Sequence, residues 1–316
     1  MQGWIGLDVG GTGIKAGLVV DGRIVAERKL PTDCSSDRAI LEQLAHLVEE
    51  LMVAADTESV QVGGIGVAVP GSVDSGRGVA VGAANLPWNN TPICSWLQER
   101  TGLPTFLEND TNAAAVGELV YGAGQGVSDL FYMAIGTGVG GGIISGGQLI
   151  RGGKGEDGGE IGHIIADLNG PVCACGQRGC LEALAAAPAI ARLATERATA
   201  AGEGPLWSKI NSGKVLEAKD VFEAAKAGDP TALSVVDTSG LYLSVGLIAI
   251  RRVLAPDLVI IGGGVAGAGQ LLLDALDKGM ESLGLRSKPV VKLSGLSQPG
   301  IVGAAAVGKS NTPGTN

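Results

Sequence analysis

Apolar residues at the start of the chain come in short runs broken by glycine: Ile5-Gly6-Leu7, Gly17-Leu18-Val19-Val20 and Ile24-Val25-Ala26. Runs of this length around tight turns predict β-strands opening on a hairpin. Ile40, Leu41, Leu44, Leu47, Val48 and Leu51 then recur at three- and four-residue spacing, which puts them on one face of a helix. Val60 to Val69 returns to an apolar strand pattern. Pro92 to Arg100 reads as a helix stopped by Gly102. Thr105-Phe106-Leu107 reads as a short strand delivering Glu108, Asn109 and Asp110 to its end, with a helix from Thr111 to Tyr121 behind it.

The pattern then begins again. Leu130 to Ile135 is an expected strand, Gly136-Thr137-Gly138 a turn, and Gly140 to Ser145 a further strand. After Cys180 the periodicity is helical through Leu254. Asp257 to Ile261 predicts a buried strand running into Gly262-Gly263-Gly264, with helix again near Leu271 to Leu283 and in the Ala-rich stretch 299–310. The polar, Pro- and Gly-bearing tail 311–316 is expected to fray. Alternating strands and helices with a repeated opening predict an α/β fold of two domains. Residues 1–109, joined by the terminal helix, form the smaller, and residues 110–298 the larger.

Length and composition agree: 316 residues with 45% apolar content suffice for two cores. The 53 glycines show no collagen period and cluster beside apolar runs, as tight turns near ligands would. A net charge of −9 lacks the basic footprint that nucleic acid demands, so no such partner is expected. Met1 to Asp8 lacks the basic-then-apolar build of a signal peptide, and no uninterrupted apolar stretch approaches membrane-spanning length. The expectation is a cytoplasmic protein without a membrane partner.

Two turns share one chemical style, Asp8-Val9-Gly10-Gly11-Thr12-Gly13-Ile14-Lys15 and Gly136-Thr137-Gly138-Val139-Gly140-Gly141. Glycine lets backbone N–H groups approach phosphate oxygens, and threonine adds a hydroxyl. Asp8 suits Mg²⁺, directly or through water. Ordinary glycine hairpins would carry the same residues. Three further matches mislead. Gly262-x-Gly264-x-x-Gly267 follows a strand like a dinucleotide fingerprint, but Lys292 stands where the next strand should end in an acid. Gly136-x-Gly138-x-x-Gly141 precedes a strand where a helix is required. Gly303 to Ser310 satisfies the P-loop expression but falls within the terminal helix instead of opening one.

Cys173, Cys175 and Cys180 crowd together, with His163 ten residues before the first thiol. Three thiolates and one imidazole form a closed tetrahedral set for one structural Zn²⁺; the competing reading is a loop of unliganded thiols. A metal on one nitrogen of His163 would fix the tautomer of the other, leaving it to meet a ligand hydroxyl. Histidine 46 lies on an amphipathic helix and reads as a surface or core residue.

Asp8-Val-Gly-Gly-Thr-x-x-Lys15, Glu108-Asn-Asp110, Glu160-Ile-Gly-His163 and Cys173-x-Cys-Gly-x-x-Gly-Cys180-Leu-Glu182 together resemble the ROK family of repressors, open reading frames and kinases, and within it the bacterial glucokinases. The resemblance runs in order over nearly the whole chain. It implies a two-domain ribonuclease-H-like fold of the actin and hexokinase superfamily, closing at an interdomain cleft over sugar and ATP. Asp110 matches the family's catalytic base, which takes a proton from the 6-hydroxyl of a hexose, glucose first, as that oxygen attacks the γ-phosphate. Read alone, Asp110 has a competing role as a cap for the helix that follows, which would not exclude catalysis. Asn109, Glu160, His163 and Glu182 match sugar contacts, as do Gly71 and Asn85; Trp88 reads as a pocket wall or a core residue. Asp8, Gly10, Gly11, Thr12, Lys15, Thr137 and Gly138 resemble the phosphate side with Mg²⁺, and Gly262, Gly263 and Gly264 the adenosine side. Lys15 also reads as a solvated strand residue. The resemblance further implies a homo-oligomer, a dimer or tetramer.

The family's repressors carry a helix-turn-helix domain ahead of the kinase-like body; with Asp8 so near Met1, no such domain is expected here. Three competing functions are a kinase for an N-acetylated amino sugar (N-acetylmannosamine or N-acetylglucosamine), a non-catalytic sugar sensor, and a dinucleotide-dependent oxidoreductase.

Overall fold

The structure, a computed structural model, describes residues 1–152 and 158–312. In chain order the elements are β1 (Gln2–Val9), β2 (Gly13–Val20), β3 (Arg23–Pro31), α1 (Asp37–Thr57), β4 (Gln61–Val69), β5 (Ser72–Asp74), β6 (Val79–Gly82), α2 (Ile93–Thr101), β7 (Thr105–Asn109) and α3 (Asp110–Tyr121). There follow β8 (Leu130–Ile135), β9 (Val139–Ser145), β10 (Gln148–Ile150), α4 (Leu181–Ala185), α5 (Ala187–Ala201), α6 (Gly204–Asn211), α7 (Ala218–Lys226), α8 (Pro230–Val253), β11 (Leu258–Gly262), α9 (Gln270–Ser282), β12 (Val291–Leu293) and α10 (Pro299–Asn311).

Both five-stranded sheets share one topology. The first runs β3-β2-β1-β4-β7 and the second β10-β9-β8-β11-β12, so each opens with a meander and then adds strands on the far side of its first. In the first sheet β1, β4 and β7 are parallel, with Asp8 beside Ala68 and Val69 beside Asn109. Their carboxyl ends therefore lie along one edge. The repeated opening anticipated from sequence corresponds to this shared order.

By proximity the chain divides into one unit of Met1–Leu130, Gly142–Gly158 and Ser294–Asn316, and another of Phe131–Gly141 and Gly159–Leu293. The boundary expected after residue 109 thus falls inside the first unit, because α3 packs against α10 and stays with it. The tail also starts later than expected: Asn311 closes α10, and residues 313–316 lie outside the described residues.

Helix α1 buries Ile40, Leu41, Leu44, Leu47, Val48 and Leu51, the face its spacing predicted, and Ser36 caps it by accepting the Ala39 N–H at 3.1 Å. Helix α2 stops at Gly102 in the left-handed conformation with φ 72°. The P-loop expression lies wholly inside α10, with Gly303 and Gly308 buried in the helix. Among the described residues one helix, α8, is long and apolar enough to cross a membrane by length and composition, although Asp237, Thr238, Ser239 and Ser244 interrupt its apolar run. Half of its most apolar stretch is buried, and it packs on α9, α7 and α5 as a core helix.

Helix α10 fixes the first unit. Gly6 and Gly66 let it settle onto bare strand backbone: a Cβ on Gly66 would lie 1.7 Å from the Ala304 carbonyl oxygen, and one on Gly6 2.0 Å from that of Ile301. On its other side Gly303 nests against Ala113 and Gly117 of α3. The buried Glu118 of α3 is satisfied by the N–H groups of Ala123 and Gly295 and by the Ser294 hydroxyl, tying the end of α3 to the segment leading into α10. Because neither backbone can retreat, Gly66→Ala should cost about 3 kcal/mol of stability, read as a lowered midpoint in denaturant with unchanged slope. A midpoint equal to that of the unaltered protein would contradict this packing.

Candidate functional site

Parallel strands expose their functional side chains where they end, at the carboxyl edge of the sheet. In the first unit that edge carries Asp8 from β1, the Pro70-Gly71 bend after β4, and Asn109-Asp110 where β7 becomes α3. Asn109 is the helix cap: its Oδ1 accepts the N–H groups of Thr111 at 3.0 Å and Asn112 at 3.2 Å. Its Nδ2 donates to the Gly71 carbonyl at 3.2 Å, which joins two of the residues singled out from sequence. Capping therefore belongs to Asn109, and Asp110 is the first residue of the helix.

The Asp110 carboxylate accepts the Thr111 N–H at 2.7 Å and faces Asp8. Burial pushes its pKa up to about 6; the Thr111 N–H offsets part of that rise, and the charge of Asp8 adds to it. Asp8 is itself shifted upward by burial, with Lys15, its neighbour across the β1–β2 ladder, acting in the opposite sense. A carboxyl group poised near neutrality at a strand edge suits proton abstraction.

The Asp8 turn is closed by the Gly10 N–H donating to the Gly13 carbonyl at 2.9 Å, so that donor is engaged within the hairpin. Gly11 backs onto Asn85, while Thr12, Lys15 and Asn85 are exposed. Trp88 is a core residue with its Nε1 unpartnered, and His46 stands on the surface 3.6 Å from Glu50.

In the second unit His163, Cys173, Cys175 and Cys180 bring one ligand atom each to within 4.8 Å of one another. Cys175 and Cys180 sulfurs are 3.6 Å apart and Cys173 Sγ lies 3.8 Å from His163 Nδ1. Bonds of about 2.3 Å to one tetrahedral ion require ligand separations of this size. Nδ1 of His163 faces the sulfurs, and its Nε2 lies 3.8 Å from Glu160. Glu182, two residues beyond Cys180, accepts the Val139 N–H at 3.0 Å and crowds Gly138, where a Cβ would sit 2.4 Å from its oxygen. The cysteine loop and the turn at Thr137-Gly138 are thereby joined.

A cavity of about 630 Å³ in the same unit is lined mainly by apolar groups, among them Ala187, Pro188, Phe222 and Val265, with Lys219 and Lys226 also lining it. Thr137 and Gly264 line it too. Gly262 and Gly263 do not: they pack on Tyr132 and the Ile135 backbone instead. Glu217 and Glu223 line the cavity as well and balance the two lysines, so its apolar walls are what suit a nucleobase.

Residues 4–311 match the model of the ROK family. The chain belongs to that family. Among ROK relatives, the glucokinase of Halalkalibacterium halodurans is 39% identical over 285 residues, covering 89% of this chain and 86% of that protein. The glucokinase of Thermotoga maritima is 36% identical over 317 residues, 98% of each chain. The crystal structure of a ROK glucokinase from Streptomyces griseus in complex with glucose and AMPPNP superposes with a TM-score of 0.83 at 35% identity, covering 98% of this chain and all of that one. The fold is thus the ribonuclease-H-like one of the actin and hexokinase superfamily.

Sequence reasoning missed the ROK residues that brace these positions. Glu108 was visible only as part of a motif, and its partners Ser75 and Arg151 carry no local signal because they lie 33 and 43 positions away. The cavity wall from α7 reads in sequence as an ordinary amphipathic helix. Asn109→Ala should remove the cap of α3 and cost about 1 kcal/mol in denaturant unfolding; a change below a few tenths would contradict the capping geometry.

Proposed function

We propose that this ROK protein is an ATP-dependent kinase that phosphorylates the 6-hydroxyl of a hexose, glucose first, with Asp110 as the base. The observation that carries the reading is the carboxyl group of Asp110, raised to about 6 and held at the strand edge, in a chain 39% and 36% identical to glucokinases. Asp110 takes the proton of the 6-hydroxyl as that oxygen forms its bond to the γ-phosphorus; the bond to the β–γ bridging oxygen breaks, and ADP leaves. Gly71, Asn85, Asn109, Glu160, His163 and Glu182 are the proposed sugar contacts. They supply the mixture of donors and acceptors that several hydroxyls require.

Gly10, Gly11, Thr12, Lys15, Thr137 and Gly138 are the proposed phosphate contacts, and Gly264, which lines the cavity, is the proposed contact on the adenosine side. The partly buried Asp8 carboxylate fits Mg²⁺, held directly or through water, which neutralises phosphate charge when bound. His163, Cys173, Cys175 and Cys180 are the proposed ligands of one structural Zn²⁺; four protein donors leave no open position for catalysis. Likeness to the family extends the proposal to a cytoplasmic homo-oligomer, a dimer or tetramer, whose mass light scattering would give.

A panel of hexoses and N-acetylated amino sugars with ATP, read by coupled ADP release, should give glucose the highest kcat/KM. Asp110→Asn should lower turnover by about 10³-fold while sugar binding persists. Turnover at the wild-type rate would remove Asp110 as the base. The base must be ionised, so kcat/KM should fall about tenfold per pH unit below the Asp110 pKa of about 6 and level off above it; a profile flat to pH 5 would contradict the assignment. Cys175→Ser should lower bound zinc, thermal midpoint and glucose affinity together. A zinc-free protein with unchanged melting and affinity would refute the metal's bracing role.

A further inference from the structure

Four donors converge on one buried carboxylate beside Asp110. Glu108, fully buried at the end of β7, accepts the Asn109 N–H at 3.0 Å and Asn112 Nδ2 at 3.1 Å on Oε1. Its Oε2 accepts the Ser75 hydroxyl at 3.2 Å and Arg151 Nε at 2.6 Å. A carboxylate offers about four acceptor positions, so this set fills it. Ser75 comes from the β5–β6 hairpin and Arg151 from the chain just after β10; the other two donors lie on either side of Asp110.

We propose that Arg151 is a positioning residue for phosphoryl transfer: its ion pair with Glu108 holds the β7–α3 turn in the shape that presents Asn109 and Asp110 to the sugar. The inference rests on the reading of Asp110 as base. Both donors on Oε1 flank that residue, and Asn109 in turn spends Oδ1 on the Thr111 and Asn112 N–H groups and Nδ2 on the Gly71 carbonyl. Any movement of the Glu108 carboxylate is therefore passed to both sides of Asp110. A buried carboxylate stripped of its counter-charge does move or take up a proton, because an isolated charge in a low-dielectric interior is strongly disfavoured. A proton on Oε2 turns an acceptor into a donor; one on Oε1 breaks the hold on the turn itself. In either case the base is displaced and not deleted, so the chemical step slows while the nucleotide cavity of the second unit is untouched.

The test uses the full-length protein with glucose and ATP. Arg151→Met should lower kcat roughly 100-fold, the penalty of misplacing a reacting group by about 1 Å, with KM for ATP within about threefold of the unaltered enzyme. Combining it with Glu108→Gln removes the orphaned charge and should recover kcat by about tenfold over Arg151→Met alone, measured at a temperature where melting shows both variants fully folded. Arg151→Lys keeps the charge but loses the planar Nε donor, so it should fold and show an intermediate kcat. Full kcat in Arg151→Met, or a double variant no faster than the single one, overturns the proposal. If Arg151→Met does not melt cooperatively, Arg151→Lys decides: native melting with lowered kcat and unchanged KM for ATP supports it, and native melting with full kcat overturns it. Asp110→Asn is assayed beside them. If it is inactive while Arg151→Met is fully active, the base stands and only this inference falls; if it turns over normally, the reading of the base fails and takes this inference with it.

Discussion

The first unit depends on a helix meeting backbone on two sides. Helix α10 rests on β1 and β4 through Gly6 and Gly66, and supports α3 through Gly303 against Ala113 and Gly117. Contacts this short leave no slack for the helix to slide, since interiors packed at crystal-like density are nearly incompressible. The direction of α3 follows from that contact, and with it the place of Asp110 at the head of the helix. Gly300, in the first turn of α10, comes equally close to the Asp8 carboxylate. A single helix thus sets the spacing between the two acids whose proximity helps raise Asp110.

The carboxylates at this edge do different work because their surroundings differ. Glu108 is wholly buried and saturated by four donors, one of them a guanidinium, which suits a structural anion. Asp110 receives the Thr111 N–H and hydroxyl and faces another acid, which suits a group that must accept a proton. In the second unit Glu182 is likewise a brace, joining the cysteine loop to the glycine turn through Val139.

Most of the architecture was legible in the sequence because its signals are local. The apolar stripe of α1, the glycine after α2 and the repeated strand–turn–strand opening are each written within a dozen residues. The cysteine and histidine set was legible for the same reason: spacing in sequence became proximity in space. What escaped was non-local. Nothing near Arg151 marks it as the partner of Glu108, and no periodicity distinguishes the cavity-lining face of α7 from a helix that covers solvent. The domain limit was misplaced at residue 109 because the motif Glu108-Asn-Asp110 looked like a terminus, whereas packing on α10 carries α3 along with the strands before it. Sequence left the cap open to Asp110 because aspartate and asparagine cap helices equally well, and only the hydrogen bonds tell them apart.

The place of α10 in the chain has a bearing on how the molecule comes into being. The strands that begin at Gln2 have a face shaped for a helix that starts only at Pro299. During synthesis the ribosome delivers the amino-terminal sheet first and its covering last, with residues 131–293 emerging in between. The middle of the chain is thus free to fold while the opening strands still wait with two glycine-bared strips of backbone unprotected. For this protein the strands made first therefore present a face to water until the helix that covers it has been synthesised.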